Sequence, residues 1–228
     1  MSQKLGSNGK PATTITASQD SAAGYAAQVI QRYVERMSGA KLPIVADCQQ
    51  TTETRIIIRV RENAAKFDGF RIHGVADDLV IESAVPRGCI YGAYALLEEI
   101  GCRFYDTEPL GIIIPECSDV AVRQDLDILR EPSFAIRFAS KGAPEDHIRW
   151  GFNFTRGGVT LEHEQLVRQL DLKQTRWGHI WPALVQKQFF SDGREPQTMD
   201  YAEHEDWLPA NERGSRSHKR PNTLFFQS

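Results

Sequence analysis

The chain has 228 residues, 41% of them hydrophobic and 25% charged, with a net charge of −3, enough apolar material for one large domain or two small ones. That balance offers no general attraction for nucleic acid or anionic lipid, and no apolar run approaches the roughly 20 residues of a membrane helix. The opening MSQKLGSNGKP lacks the apolar segment of a signal peptide, so it reads as a flexible lead-in or as the remnant of a longer amino terminus.

Residues 13–16 (TTIT) are β-branched and predict a first strand. Asp20 or Ser21 is placed to cap a helix whose Ala22, Ala26, Val29, Ile30, Tyr33 and Met37 form one stripe, and Gly39 ends it. Residues 42–45 resume in extended form, and RIIIRV (55–60) is a strand. GFRIHG (69–74) and DLVIES (78–83) predict a hairpin turning at Ala76-Asp77. In PRGCIYGAYALLEEIG, Pro86 suits a first helical turn, and Ile90, Ala93, Tyr94, Leu97 and Ile100 recur at helical spacing. Gly88 and Gly92 thin one flank, and Gly101 supplies the left-handed stop. Short strands follow near 102–105, 112–114 and 126–129. The sum is an α+β fold, a small mixed sheet with two helices on one face.

After Glu131-Pro132 the character changes. SFAIRF (133–138) and GFNFTR (151–156) read as strands flanking a short helix at 144–150, and 160–176 is broadly helical. From Trp177 onward the sequence is aromatic-rich and irregular, ending in a strand-like TLFF (223–226). Four cysteines (Cys48, Cys89, Cys102, Cys117) include no CxxC pair, so neither a zinc site nor a redox motif is indicated. Cys89 and Cys102 read as buried thiols rather than a disulfide.

The order of YVERMSGAKLPIV (33–45), DGFRIHGVADDLVIES (68–83), PRGCIYGAYALLEEIGCRFY (86–105), IIIP (112–115) and EPSFAIRF (131–138) resembles a known arrangement. It is that of the non-catalytic α/β domain preceding the barrel in family-20 β-hexosaminidases and family-67 α-glucuronidases, and it looks most similar to their uncharacterised bacterial relatives. The resemblance covers roughly residues 15–140, with a weaker match in GHIWP (178–182) and EDWLPANERGSR (205–216). It implies residues 1–130 as the accessory domain and 131–228 as the start of a (β/α)₈ barrel. Such a barrel takes about 250 residues, so 131–228 would supply only about two or three βα units. It further implies O-glycosyl hydrolysis, with acid/base carboxylates on later barrel strands and no catalytic pair assignable here.

Within that frame Arg137, at the end of a predicted barrel strand, is a candidate to fork onto a sugar hydroxyl, or else a brace for the barrel mouth. His179 and Trp181 combine an imidazole with an aromatic ring and suit a sugar-binding loop, or else anchor that loop. Asn153 and Trp207 are lesser candidates. Arg87-Gly88 at a helix start is explained by close packing more simply than by an anion site. His163-Glu164 and His204-Glu205 begin like HExxH but lack the second histidine, so no metal or cofactor is expected. The expected partner is a carbohydrate, neither nucleic acid nor membrane. The competing reading is a non-enzymatic glycan-binding or docking module that self-associates through exposed barrel edges.

Overall fold

A computed structural model of the chain describes residues 2–17, 21–46, 54–106, 110–139, 142–156 and 161–175. All lie within one compact unit. The strands and helices, in chain order, are β1 (Ser2–Ser7), β2 (Lys10–Pro11), β3 (Thr14–Ala17), α1 (Ser21–Ser38), β4 (Ile44–Ala46), β5 (Arg55–Val60), β6 (Phe70–Val75) and β7 (Asp78–Ser83). Then come α2 (Pro86–Glu99), β8 (Arg103–Phe104), β9 (Ile112–Ile113), β10 (Asp119–Arg123), β11 (Asp127–Arg130), α3 (Pro144–Arg149), β12 (Phe154–Arg156), α4 (Leu161–Gln169) and β13 (Lys173–Thr175).

The main sheet runs β11-β6-β7-β5-β3-β4, parallel from β7 to β4 and antiparallel at β6 and β11. It is the mixed sheet the sequence predicts, and α1 and α2 lie side by side against it. Alternation decides which side chains meet them. Ile15, Ile56, Ile58, Ile72, Leu79 and Ile81 are buried and share the core with the Ala22–Met37 stripe of α1 and with Ile90, Ala93 and Leu97 of α2. The glycines of α2 sit where the sequence placed them. A Cβ on Gly92 would lie 2.5 Å from Ile81 Cγ2, and one on Gly88 would overlap Ser83. The close approach of helix to sheet depends on their missing side chains.

The other face of the same strands is a charged lattice. Arg55 pairs with Asp78 across β5 and β7, Arg71 with Asp127 across β6 and β11, and both Arg59 and Arg61 with Glu82. His73 Nε2 lies 3.3 Å from the same Glu82 carboxylate, whose side chain is only 2% exposed. Burial works to raise the Glu82 pKa, but hydrogen bonds from Arg59 and Arg61 outweigh it and hold the carboxyl below its usual range.

Three helices end in the same Schellman arrangement, each leading straight into the next segment of chain. After α2, Gly101 (φ +108) donates to Glu98 O and Cys102 to Leu97 O. After α3, Gly151 (φ +78) donates to Ile148 O and Phe152 to His147 O. After α4 the left-handed residue is Asp171 (φ +53), donating to Arg168 O, with Leu172 donating to Val167 O. The last stop ends α4 sooner than the helical pattern over 160–176 suggests and turns Leu172 into the lead of β13.

Two further expectations are corrected. The amino-terminal segment is no flexible lead-in: β1 pairs with β10 and β2, and Leu5 is fully buried in the core. Residues 133–137 form no strand, and only Phe138 makes a parallel bridge, to Phe154. The Arg137 amide is taken by the Asn153 side chain, so a side-chain bond stands where a ladder bond was expected. Beyond it β12 and β13 pair in parallel, with α3 and α4 alternating between the strands and packed on α2 and α1. The capping role of Asp20, Cys48 and everything from Arg176 onward fall outside the described residues.

The packing and the charge lattice each carry a stability prediction. Gly92→Ala should destabilise by about 1–3 kcal/mol in urea unfolding, since a methyl there displaces Ile81 from a packed core. Because the folded-state pKa of Glu82 is depressed, its stabilisation is present above the unfolded value near ~4.3 and is lost as pH falls through the lower folded one. Urea midpoints measured from pH 6 to pH 3 should therefore fall less steeply for Glu82→Gln than for the wild type.

Candidate functional site

Asp68 lies in the loop between β5 and β6, and its side chain is 1% exposed. A buried carboxylate needs donors at close range, and three elements supply them. Arg87, in the first turn of α2, donates from Nε to Oδ2 at 2.9 Å; Arg137 donates from Nη2 to Oδ1 at 2.8 Å; Asn153 donates from Nδ2 to Oδ2 at 2.9 Å. Arg87 Nη1 continues to Asp171, meeting its carbonyl at 2.9 Å and its carboxylate at 3.0 Å. Two arginines and two aspartates thus balance in charge.

The structure brings two of the candidate sugar-binding residues, Arg137 and Asn153, together here. Arg137 also donates from Nε to Gly151 O at 2.7 Å and from Nη1 to Phe134 O at 2.8 Å, and its guanidinium lies 5.8 Å from the centre of the Tyr91 ring. Asn153 accepts the Arg137 amide at 2.8 Å and donates to Ala135 O at 2.8 Å. Tyr91 donates to Phe152 O at 2.9 Å; burial first, and then the Asp68 charge, push its phenol well above the usual range. His179, Trp181 and the lesser candidate Trp207 lie outside the described residues.

Arg137 also borders a cleft of about 430 Å³ between α2, the turn at Gly151 and the link through Pro132. Its aromatic lining is Phe70, Tyr91, Tyr94, Phe104 and Trp150. Tyr33, Tyr94 and Phe104 meet edge to face with ring centres 5.2–6.3 Å apart, and Arg149 lies about 6.0 Å from the Tyr94 centre. The three acids on the wall each have a donor: Asp68 as above, Glu98 from Arg130 at 3.2 Å, and Glu131 from the Lys66 amide at 2.8 Å. Among the described residues no group of His, Cys, Asp and Glu is arranged to hold a metal ion, and no helix is long and apolar enough to cross a membrane.

Sequence reasoning passes over Asp68, although it stands in the DGFRIHG motif directly before β6. Gly69 beside it has a reason of its own, since a Cβ there would come 2.6 Å from Arg130 O. Arg87, a weak anion-site candidate in the sequence, finds its anions in two carboxylates of this chain.

No protein-family model and no curated protein matches the sequence. Solved structures do. The family GH115 4-O-methyl-α-glucuronidase BtGH115A, described as specific for decorated arabinogalactans, matches with a TM-score of 0.57 at 11% identity, over 87% of this chain and 32% of its own. The GH20 β-N-acetylhexosaminidase of Streptomyces coelicolor matches at 0.43 and 16%, over 60% of this chain and 26% of its own. The GH20 exo-β-N-acetylglucosaminidase of Vibrio harveyi matches at 0.37 and 12%, over 60% and 18%. The chain thus spans about a third or less of these enzymes. The likeness to the family-115 glucuronidase is one of fold, consistent with the resemblance read from the sequence.

Removing the shared acceptor takes the carboxylate partner from Arg137 and leaves Arg87 with Asp171 alone. Asp68→Ala should cost about 3–5 kcal/mol in chemical denaturation. Asp171→Ala, at a more exposed partner, should cost clearly less.

Proposed function

We propose that this chain corresponds to the accessory α/β domain, about 1–130, and the opening βα units, 131–228, of a glycoside-hydrolase-like protein acting on O-glycosyl bonds. The observation that carries this reading is the run Phe138–α3–β12–α4–β13, parallel strands alternating with helices and docked on the helix layer of a mixed sheet. The GH115 match supports it, because 87% of this chain is more than residues 1–130 can supply. Barrel strands are laid down in this alternation.

In this reading the described part is a platform and supplies no acid/base pair. Glycoside hydrolysis needs two carboxyl groups facing across the scissile bond, whereas the three acids of the cleft are each bonded to a donor of this chain. Arg137 and Asn153 serve first as braces that fix the opening of the barrel. Contact with carbohydrate falls to His179 and Trp181. A second reading, a non-enzymatic module that docks onto a partner or itself, draws on Phe134 and Ile136, 73% and 61% exposed on the link into the second part.

The purified chain, incubated with aryl β-N-acetylglucosaminide and aryl α-glucuronide, should release no phenol above the buffer rate, while tryptophan fluorescence should respond to the free sugars and lose that response in Trp181→Ala. Turnover that survives repurification contradicts the platform reading. A fluorescence response absent for every sugar, together with a dimer in light scattering at micromolar concentration, favours the docking module.

A further inference from the structure

Cys102 and Cys117 converge on one residue, Met37, in the last turn of α1. The Cys102 thiol, fully buried just beyond the Gly101 stop, points its sulfur at Met37 Sδ at 3.8 Å. The Cys117 amide donates to the Met37 carbonyl at 2.9 Å, and Cys117 is half-buried. The two chain segments run beside each other, since a Cβ on Gly101 would lie 3.2 Å from Pro115 Cγ. Cys89 stands apart, its thiol turned to Arg59 O at 3.3 Å.

We propose that Cys102 and Cys117 are a thiol pair that closes to an intramolecular disulfide by exchange with a small disulfide such as oxidised glutathione. Cys117, the more accessible, loses its proton and attacks one glutathione sulfur, forming a mixed disulfide and releasing one glutathione thiolate. Cys102 then loses its proton and attacks the Cys117 sulfur; the protein disulfide forms and the second glutathione thiolate leaves. Two protein thiols are oxidised, one glutathione disulfide is reduced, and the two protons end on the two glutathione thiolates. Burial, with a smaller contribution from the neighbouring Cys117, pushes the Cys102 thiol up to about 11, so little of it is thiolate at neutral pH and the second, intramolecular step is faster at alkaline pH. The bridge would close the β8–β9 hairpin at its base, next to Met37 at the end of α1 and the Tyr33–Tyr94–Phe104 cluster.

The test uses the full chain as C48S/C89S, which keeps only this pair, equilibrated with excess oxidised glutathione. The intact mass should fall by two hydrogens, and trypsin should yield peptide 88–103 joined to peptide 104–123. The melting temperature should rise by roughly 5–10 °C over the reduced protein, and C102S should show neither change. Should the serine at 89 unsettle α2, the wild-type chain gives the same joined peptides, with fragment ions assigning the bridge to Cys102 rather than Cys89. A glutathione adduct left on Cys117 with Cys102 still free to alkylate on unfolding, or no reaction at either thiol, overturns the proposal.

Discussion

A single carboxylate with almost no access to water organises the way this chain is assembled. Asp68 is 1% exposed, and leaving such a group unmatched would cost several kcal/mol. Its donors come from the start of α2, from the link after β11 and from the residue before β12, segments separated by up to 85 positions. The sheet with its two helices and the βα run after it are therefore held together by a neutral, hydrogen-bonded cluster as well as by apolar contact. Asp171 extends the cluster to the end of α4. Its left-handed backbone, uncommon outside glycine, coincides with the point where its carbonyl and carboxylate both accept from Arg87.

The layers around this cluster divide the work. Helices α1 and α2 press their apolar stripes on one face of the mixed sheet and offer their other sides to α4 and α3. Small residues make that possible, because Gly88 and Gly92 let α2 approach β6 and β7 closely. The opposite face spends its strands on ion pairs centred on Glu82. Charge is thus used in two ways here. On the sheet it joins neighbouring strands, and at Asp68 it joins elements distant in sequence.

Much of the fold was legible because it is written in local patterns. The Ala22–Met37 stripe, the alternating hairpin over 69–83, the Pro86 start and the Gly101 stop each need only a few adjacent residues to be read, and each stands where expected. The features that escaped depend on distant partners. Ser2–Ser7 has little strand character, and its place is set by β10 more than a hundred residues later. The segment 133–137 has the alternation of a strand, yet Asn153 takes the Arg137 amide. Arg137 and Asn153 were readable as residues of interest, but their common acceptor was not, because an aspartate before a glycine looks like any turn. At 11% identity the likeness to about a third of a family-115 glucuronidase is one of fold.

Hydrogen–deuterium exchange of the wild type and of Asp68→Asn tests the central claim most directly. If the Asp68 cluster fixes the βα run to the main sheet and its helices, the asparagine should strip protection from amides of residues 137–156 and 161–175, while those of β5 and β7 stay protected. Equal loss across both parts, or no loss at all, would contradict it.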